Sequence, residues 1–170
     1  MLQIDAHLDG REKRLGVRGG YSSPMFRLRE MPWVRFIAQV GLRGTGFSRR
    51  EEVNHALAAG NLIVPAHELH ERGVDWIVER FAEGGRYYIT LDIDGLDPAT
   101  GPGTPAISPG GVTYPQLIRL LRGLAARGEV VGIDVCEFYP ALDVNDLTAL
   151  TIARLFTMVI GLTMGPVSTL

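Results

Sequence analysis

The chain has 170 residues, a length that fits one domain spanning 1–170, and 46% of them are apolar, enough for a substantial core. Its 17 basic and 19 acidic residues leave a net charge of −2, which offers no electrostatic footprint for nucleic acid or an anionic membrane surface. The lone cysteine, Cys136, excludes an intramolecular disulfide framework and fits a reducing cytoplasm. Met1 leads into an acidic cluster rather than a signal peptide, and the apolar run Leu155–Met164 is too short to span a bilayer.

In chain order, MLQI (Met1–Ile4) reads as a short buried strand that ends at Asp5. Residues 10–31, rich in Gly, Arg and Ser, read as a long loop. Arg35–Leu42 reads as a strand. Arg49–Gly60 follows as a helix, with Ser48 as N-cap, Glu51 three residues on and Gly60 as the stop. Asn61–Pro65 is the next strand, and Ala66–Glu83 has helical apolar spacing through Leu69, Val74, Ile77, Val78 and Phe81. Tyr87–Ile93 is a β-branched and aromatic strand, and residues 95–112 form a Pro/Gly-rich loop. Tyr114–Gly128 is a helix that Thr113 caps and whose first turn tolerates Pro115. Glu129–Val135 is a strand, and the last helix runs from Asp146 to about Leu162. Strands alternating with helices predict an α/β fold with a mostly parallel sheet. Both long loops exceed ordinary connections and are candidate functional loops.

In an open parallel sheet, ligands bind beyond the carboxyl ends of the strands. Acidic groups follow three of the apolar runs: DAHLD (Asp5–Asp9) after MLQI, DIDGLDP (Asp92–Pro98) after YYITL, and DVCEF (Asp134–Phe138) after EVVGI. Asp92 and Asp94, at spacing two, are expected on the same side of an extended segment. Packing carboxylates together is costly unless a cation offsets their repulsion. A donor set of Asp5, His7, Asp9, Asp92 and Asp94, with no cysteine, suits a hard or borderline ion such as Mn²⁺. Asp5 and Asp92 are placed to bridge two ions, and such a pair activates a hydroxide for hydrolysis. Taken singly, DAHLD reads more readily as a helix-capping turn. DIDG alone is similar to the haloacid-dehalogenase nucleophile motif, but no lysine follows Lys13, and that family needs a basic residue downstream.

DAHLD resembles the Asp-Ala-His-x-Asp signature of the ureohydrolase superfamily, which includes arginases and agmatinases. TLDIDGLDPATGPGTPAISPGGVTY resembles its second signature, and VVGIDVCEFYPALDVNDLTALTIARL its closing segment. The likeness runs from Met1 to about Leu162 and is nearest to agmatinase-like members. It implies an arginase-like, three-layer α/β/α fold and manganese-dependent hydrolysis of a small guanidino compound to urea and an amine. It further implies a binuclear Mn²⁺ centre in which Asp5 and Asp92 bridge, His7 and Asp94 complete one ion, and Asp9 holds the other. Glu137 matches the glutamate that accepts hydrogen bonds from the substrate guanidinium. Asp97 matches a motif aspartate that supports its loop. A homo-oligomer is implied as well.

Two departures accompany the likeness. The family's Gly-Gly-Asp-His segment, which supplies a histidine to the ion Asp9 helps hold, has no counterpart here. The chain therefore looks like the N-terminally truncated second part of a longer enzyme, and the alternative to an active hydrolase is a non-catalytic or weakly metal-binding fragment. The family's proton-transfer histidine corresponds to Tyr21 or Ser22, and Tyr21 is a candidate for orienting substrate, since a phenol titrates too high for a base at neutral pH. His55, His67 and His70 read as surface or interface residues. Cys136 reads as a buried structural thiol, the loop 101–111 as a wall of the substrate pocket, and Trp76, Tyr87 and Tyr88 as core or sheet packing.

Overall fold

The computed structural model describes residues 1–44, 46 and 48–164; the last residues of the expected 1–170 unit lie outside the described part. Five strands form where the apolar runs fall: β1 (Leu2–Ile4), β2 (Ala38–Leu42), β3 (Leu62–Pro65), β4 (Arg86–Asp92) and β5 (Glu129–Cys136). All pair in parallel, in the order β3-β2-β1-β4-β5. Parallel neighbours need crossovers, and helices supply them: α1 (Pro24–Arg29), α2 (Arg50–Ala58), α3 (Ala66–Arg72), α4 (Asp75–Val78) and α5 (Tyr114–Arg127), with α6 (Leu147–Thr163) after the last strand. The chain leaves the central strand β1 outward through β2 and β3, then returns to β4 on the other side of β1. The order therefore reverses between β1 and β4, and the crevice beyond their carboxyl ends is the switch point where such sheets bind ligands.

One face of the sheet carries the main core. Leu2, Ile4, Val40, Ile89 and Leu91 point from the strands into Leu69, Ile77, Leu117, Leu120, Leu124 and Leu155 of the helices α3 to α6, all fully buried. Each such side chain contributes roughly 1.5–3 kcal/mol by leaving water. Among the described residues the opposite face is covered at its β2–β3 side, where Leu8, Leu42 and Ile63 pack with Val53 and Ala56 of α2. There α1 leans on α2 through Phe26 stacked on the His55 ring. Toward β4 and β5 that face borders an open trough of about 1520 Å³, lined by Gln3, Tyr88, Thr90 and Val131 among others. The helix layer is thus continuous on one face and partial on the other.

Local departures from the expected elements have local causes. Pro24 starts a short helix inside the expected loop 10–31, with Asp9 O accepting from Met25 N–H at 3.1 Å. The expected helix 66–83 breaks at Gly73, whose φ of 73° lies in the left-handed region that glycine enters freely. The strand expected from Arg35 pairs only from Ala38. Helix α2 is entered from Arg49, not Ser48: the Arg49 N–H donates to Glu52 Oε2 at 2.8 Å, so Glu52 takes the role expected of Glu51. Helix α5 forms as expected, with Thr113 and Gln116 bonded reciprocally at its N-terminus.

Candidate metal centre

Asp5 follows β1 directly, and its N–H still bonds Val40 O across to β2. Its carboxylate Oδ1 accepts the His7 N–H at 2.6 Å, which folds DAHLD into a tight turn. The turn brings His7 Nδ1 to 3.0 Å from Asp94 Oδ2 and 3.4 Å from Asp5 Oδ1. Asp94 is fixed from the other side by the Ala6 N–H, at 3.1 Å from its Oδ1. Donor atoms of Asp5, His7 and Asp94 all lie within 4.8 Å of one another. The approach of the two strand ends depends on Gly95: a Cβ there would stand 2.6 Å from Asp5 N and 2.7 Å from Asp5 Cα.

Asp92 and Asp94 do not lie along one extended segment as their spacing predicted. Asp92 ends β4, and its Oδ1 accepts the Asp94 N–H at 3.0 Å, capping a 3-10 turn over Ile93–Gly95. Side-chain capping outcompetes continued strand, a common outcome for aspartate. Asp94 is thereby carried across to His7.

The cluster has an excess of negative charge. Burial pushes the Asp5 carboxyl up to about 6 despite hydrogen bonding from His7. Burial and the charge of Asp5 push Asp9 up to about 7, and burial with the charges of Asp5 and Asp94 pushes Asp92 up to about 9. Burial acts on Asp94 in the same direction, but the hydrogen bond and charge of His7 outweigh it and hold this carboxyl below its ordinary value. Hydrogen bonds to Asp5 and Asp94 raise His7 to about 10, against its partial burial. A buried set of oxygen donors and one imidazole, with no thiolate and one cationic partner, fits a hard or borderline divalent cation.

Asp9 and Asp92 stand outside the tight group of three but close enough for their charges to couple to it. Asp9 has a φ of 48°, a left-handed backbone for a non-glycine residue. Glu137, also left-handed at φ 58°, lines the same trough as His7, Asp9 and Asp92. Strain of this kind is typical where surrounding structure holds a side chain toward a site. Tyr21 lines the trough but is 71% exposed and takes a hydrogen bond from Arg14, whose guanidinium also lies 4.9 Å over its ring. Asp97 braces its loop, accepting the Ala99 and Gly110 N–H groups at 3.0 Å each.

Other expectations change. Cys136 is exposed rather than buried, because it ends β5 at the trough; its partial burial and the adjacent Asp134 push the thiol up to about 11. Of the loop 101–111, only Ala106 lines the trough, since the loop is pulled back onto Arg43. Tyr87 is core, whereas Tyr88 is 41% exposed on the open face. His70 bonds Gly110 O at 3.1 Å, in keeping with a structural role.

Two features escaped the sequence reading. Arg43 is half-buried and donates to the carbonyls of Gly41, Asp94, Leu96 and Ser108, tying β2 to the turn that carries Asp94. Gln3, Gln39 and Asn61 form a buried amide network that reaches Asp5. The available signal was an amide residue in each of three apolar strand segments.

A doubly wound parallel sheet with a carboxylate–imidazole group at its switch point defines the class, an α/β protein with metal-type donors beyond its strand ends. More particularly, the chain belongs to the arginase family, whose model matches residues 1–161. It is similar to an N(1)-aminopropylagmatine ureohydrolase of Thermus thermophilus, 36% identical over 82% of this chain and 46% of that protein. A mitochondrial arginase of Medicago truncatula is 33% identical over 91% of this chain and 45% of its own length. Among solved structures, proclavaminate amidino hydrolase from Streptomyces clavuligerus superposes with a TM-score of 0.84 at 27% identity, covering 95% of this chain and 55% of that one. The chain spans about half the length of these relatives.

Proposed function

We propose that this chain carries the metal-binding, guanidinium-facing part of a manganese-dependent hydrolase of agmatinase-like type, acting on a small guanidino compound. The observation that carries the reading is the grouping of Asp5, His7 and Asp94 at the switch point, with Asp9, Asp92 and Glu137 around it. The relatives are by name a ureohydrolase, an arginase and an amidino hydrolase, and the chemistry they share is hydrolysis at a guanidino-type carbon.

In this reading Asp5, His7 and Asp94 would hold one Mn²⁺, and Asp9 and Asp92, whose charges couple to that group, would contribute to holding a second. When bound, the metal supplies the lowered water pKa and the charge stabilisation that C–N hydrolysis needs. Glu137 accepts hydrogen bonds from the substrate guanidinium and fixes its plane at the mouth of the cluster. Tyr21, on the segment between Gly10 and Pro24 that lines the trough, orients the far end of the substrate. Asp5 and Asp94 are themselves buried, and both line the trough from which substrate would reach the cluster.

The test is Mn²⁺ stoichiometry of the purified 170-residue chain, followed by urea release from agmatine, arginine and 4-guanidinobutyrate. Two ions and urea from one of these support the full reading. One ion without urea supports a metal-binding fragment. No ion taken up by a folded chain contradicts the metal centre.

A further inference from the structure

Three amide side chains stand in line beneath the metal-type cluster. Asn61 Nδ2 donates to Gln39 Oε1 at 2.7 Å, Gln39 Nε2 donates to Gln3 Oε1 at 2.7 Å, and Gln3 Nε2 donates to Asp5 Oδ2 at 2.6 Å. The three come from the residue before β3, from β2 and from β1, so the line crosses the sheet from strand to strand. All are buried, at 8%, 1% and 2% exposure. Gln39 Nε2 also donates to Leu8 O at 2.7 Å, the carbonyl just before the left-handed Asp9.

The direction of the line is set by its ends. The Asp5 carboxylate and the Leu8 carbonyl only accept, so Gln3 and Gln39 must both turn their NH₂ groups toward them. Each amide oxygen then faces the NH₂ of the next residue outward. Every dipole points its positive end at Asp5, an arrangement in which successive hydrogen bonds strengthen one another at low local dielectric. Three buried amides could have been apolar residues at lower desolvation cost. Their joint orientation on one carboxylate, with a branch to the turn that carries Asp9, is what a bare core would not provide.

We propose that Asn61, Gln39 and Gln3 are positioning residues for the metal centre: an amide relay that sets the rotation of the Asp5 carboxylate and the height of the Leu8–Asp9 turn. The proposal rests on the metal reading above. With Oδ2 tied to Gln3 and Oδ1 to the His7 N–H, Asp5 cannot swing away from the cation site when the site's charge changes. Gln39 and Asn61 touch no donor side chain of the centre and act only through the relay and the Leu8 carbonyl. Outer-shell partners of this kind tune metal affinity by about 10–100-fold in well-studied sites.

The test measures Mn²⁺ affinity by electron paramagnetic resonance for the full 170-residue chain and for Gln39→Met and Asn61→Leu, alongside the thermal midpoint of each metal-free protein. Both variants keep side-chain bulk and remove relay hydrogen bonds. The relay predicts that Gln39→Met weakens Mn²⁺ binding about tenfold or more, and Asn61→Leu by more than about twofold. A purely structural role would lower the metal-free midpoint and leave the affinity of the folded variants unchanged, and that result overturns the proposal. If Gln39→Met does not fold, Asn61→Leu, at the outer end of the line, decides alone by the same criterion. A wild-type chain that folds but takes up no Mn²⁺ removes the metal reading and the relay with it, whereas wild-type binding matched by both variants removes the relay only.

Discussion

Gly95 is where two strand ends touch. An added methyl would meet the backbone of Asp5 and Ile4 at 2.6–2.8 Å, and backbone cannot rotate aside. Gly95→Ala is therefore expected to lower unfolding free energy by about 1–3 kcal/mol in urea denaturation, the usual cost of overpacking, and to weaken Mn²⁺ uptake because Asp94 moves off His7. Arg43 works on the same turn from the other side, its guanidinium held by carbonyls of Asp94, Leu96 and Ser108 at 2.6, 3.0 and 2.5 Å. Arg43→Met strands those carbonyls, and a loss of about 1.5–3 kcal/mol is expected, together with faster proteolysis within residues 97–111. Stability unchanged in Arg43→Met would show that the guanidinium is incidental to the turn.

Among the elements, α5 and α2 offer a matched pair. Thr113 caps α5 with Gln116 in return, so Thr113→Ala should cost about 1 kcal/mol. Ser48 looks like the corresponding cap for α2, yet its hydroxyl is buried with no partner among the described residues, and Arg49 is the N-cap of a helix that begins at Arg50. Ser48→Ala is expected to change stability by less than about 0.5 kcal/mol. Two denaturation curves separate the cases, and a large loss at Ser48 would contradict the assigned helix start. The same contrast explains what was legible in the sequence. Strands and long helices follow apolar periodicity, which survives in any tertiary context, and Asp5, His7 and Asp94 stood out because each follows or ends an apolar run. The turn at Asp92 was not legible, because alternation cannot reveal that an aspartate will cap the next residues. Nor was the break at Gly73, where helical spacing of apolar residues continues through Ile77 and Phe81 although the backbone does not. Gln3, Gln39 and Asn61 fall within the expected strand segments, but nothing in the sequence shows that they meet; the parallel register, pairing Gln3 with Gln39, brings them into one line.

For the molecule as a whole, stability and site draw on different faces of the sheet. The buried leucines and isoleucines lie on the face covered by α3 to α6, whereas the donor cluster opens on the partly covered side. The fold therefore holds partly buried carboxyls raised by burial first and by one another's charge second, Asp92 up to about 9 and Asp9 up to about 7. A cation that binds only the folded chain offsets that crowding, and at a hundredfold excess over its dissociation constant it adds about 2.7 kcal/mol of stability. Among the described residues no helix is long and apolar enough to cross a membrane. The most direct measurement is calorimetric titration of Mn²⁺ into the wild-type chain and into Asp94→Asn, an isosteric change at the residue that joins β4 to His7. Saturable binding by the wild type, lost in the variant, is the predicted result; equal binding by both, or none by a folded wild-type chain, would contradict a metal centre at the meeting of β1 and β4.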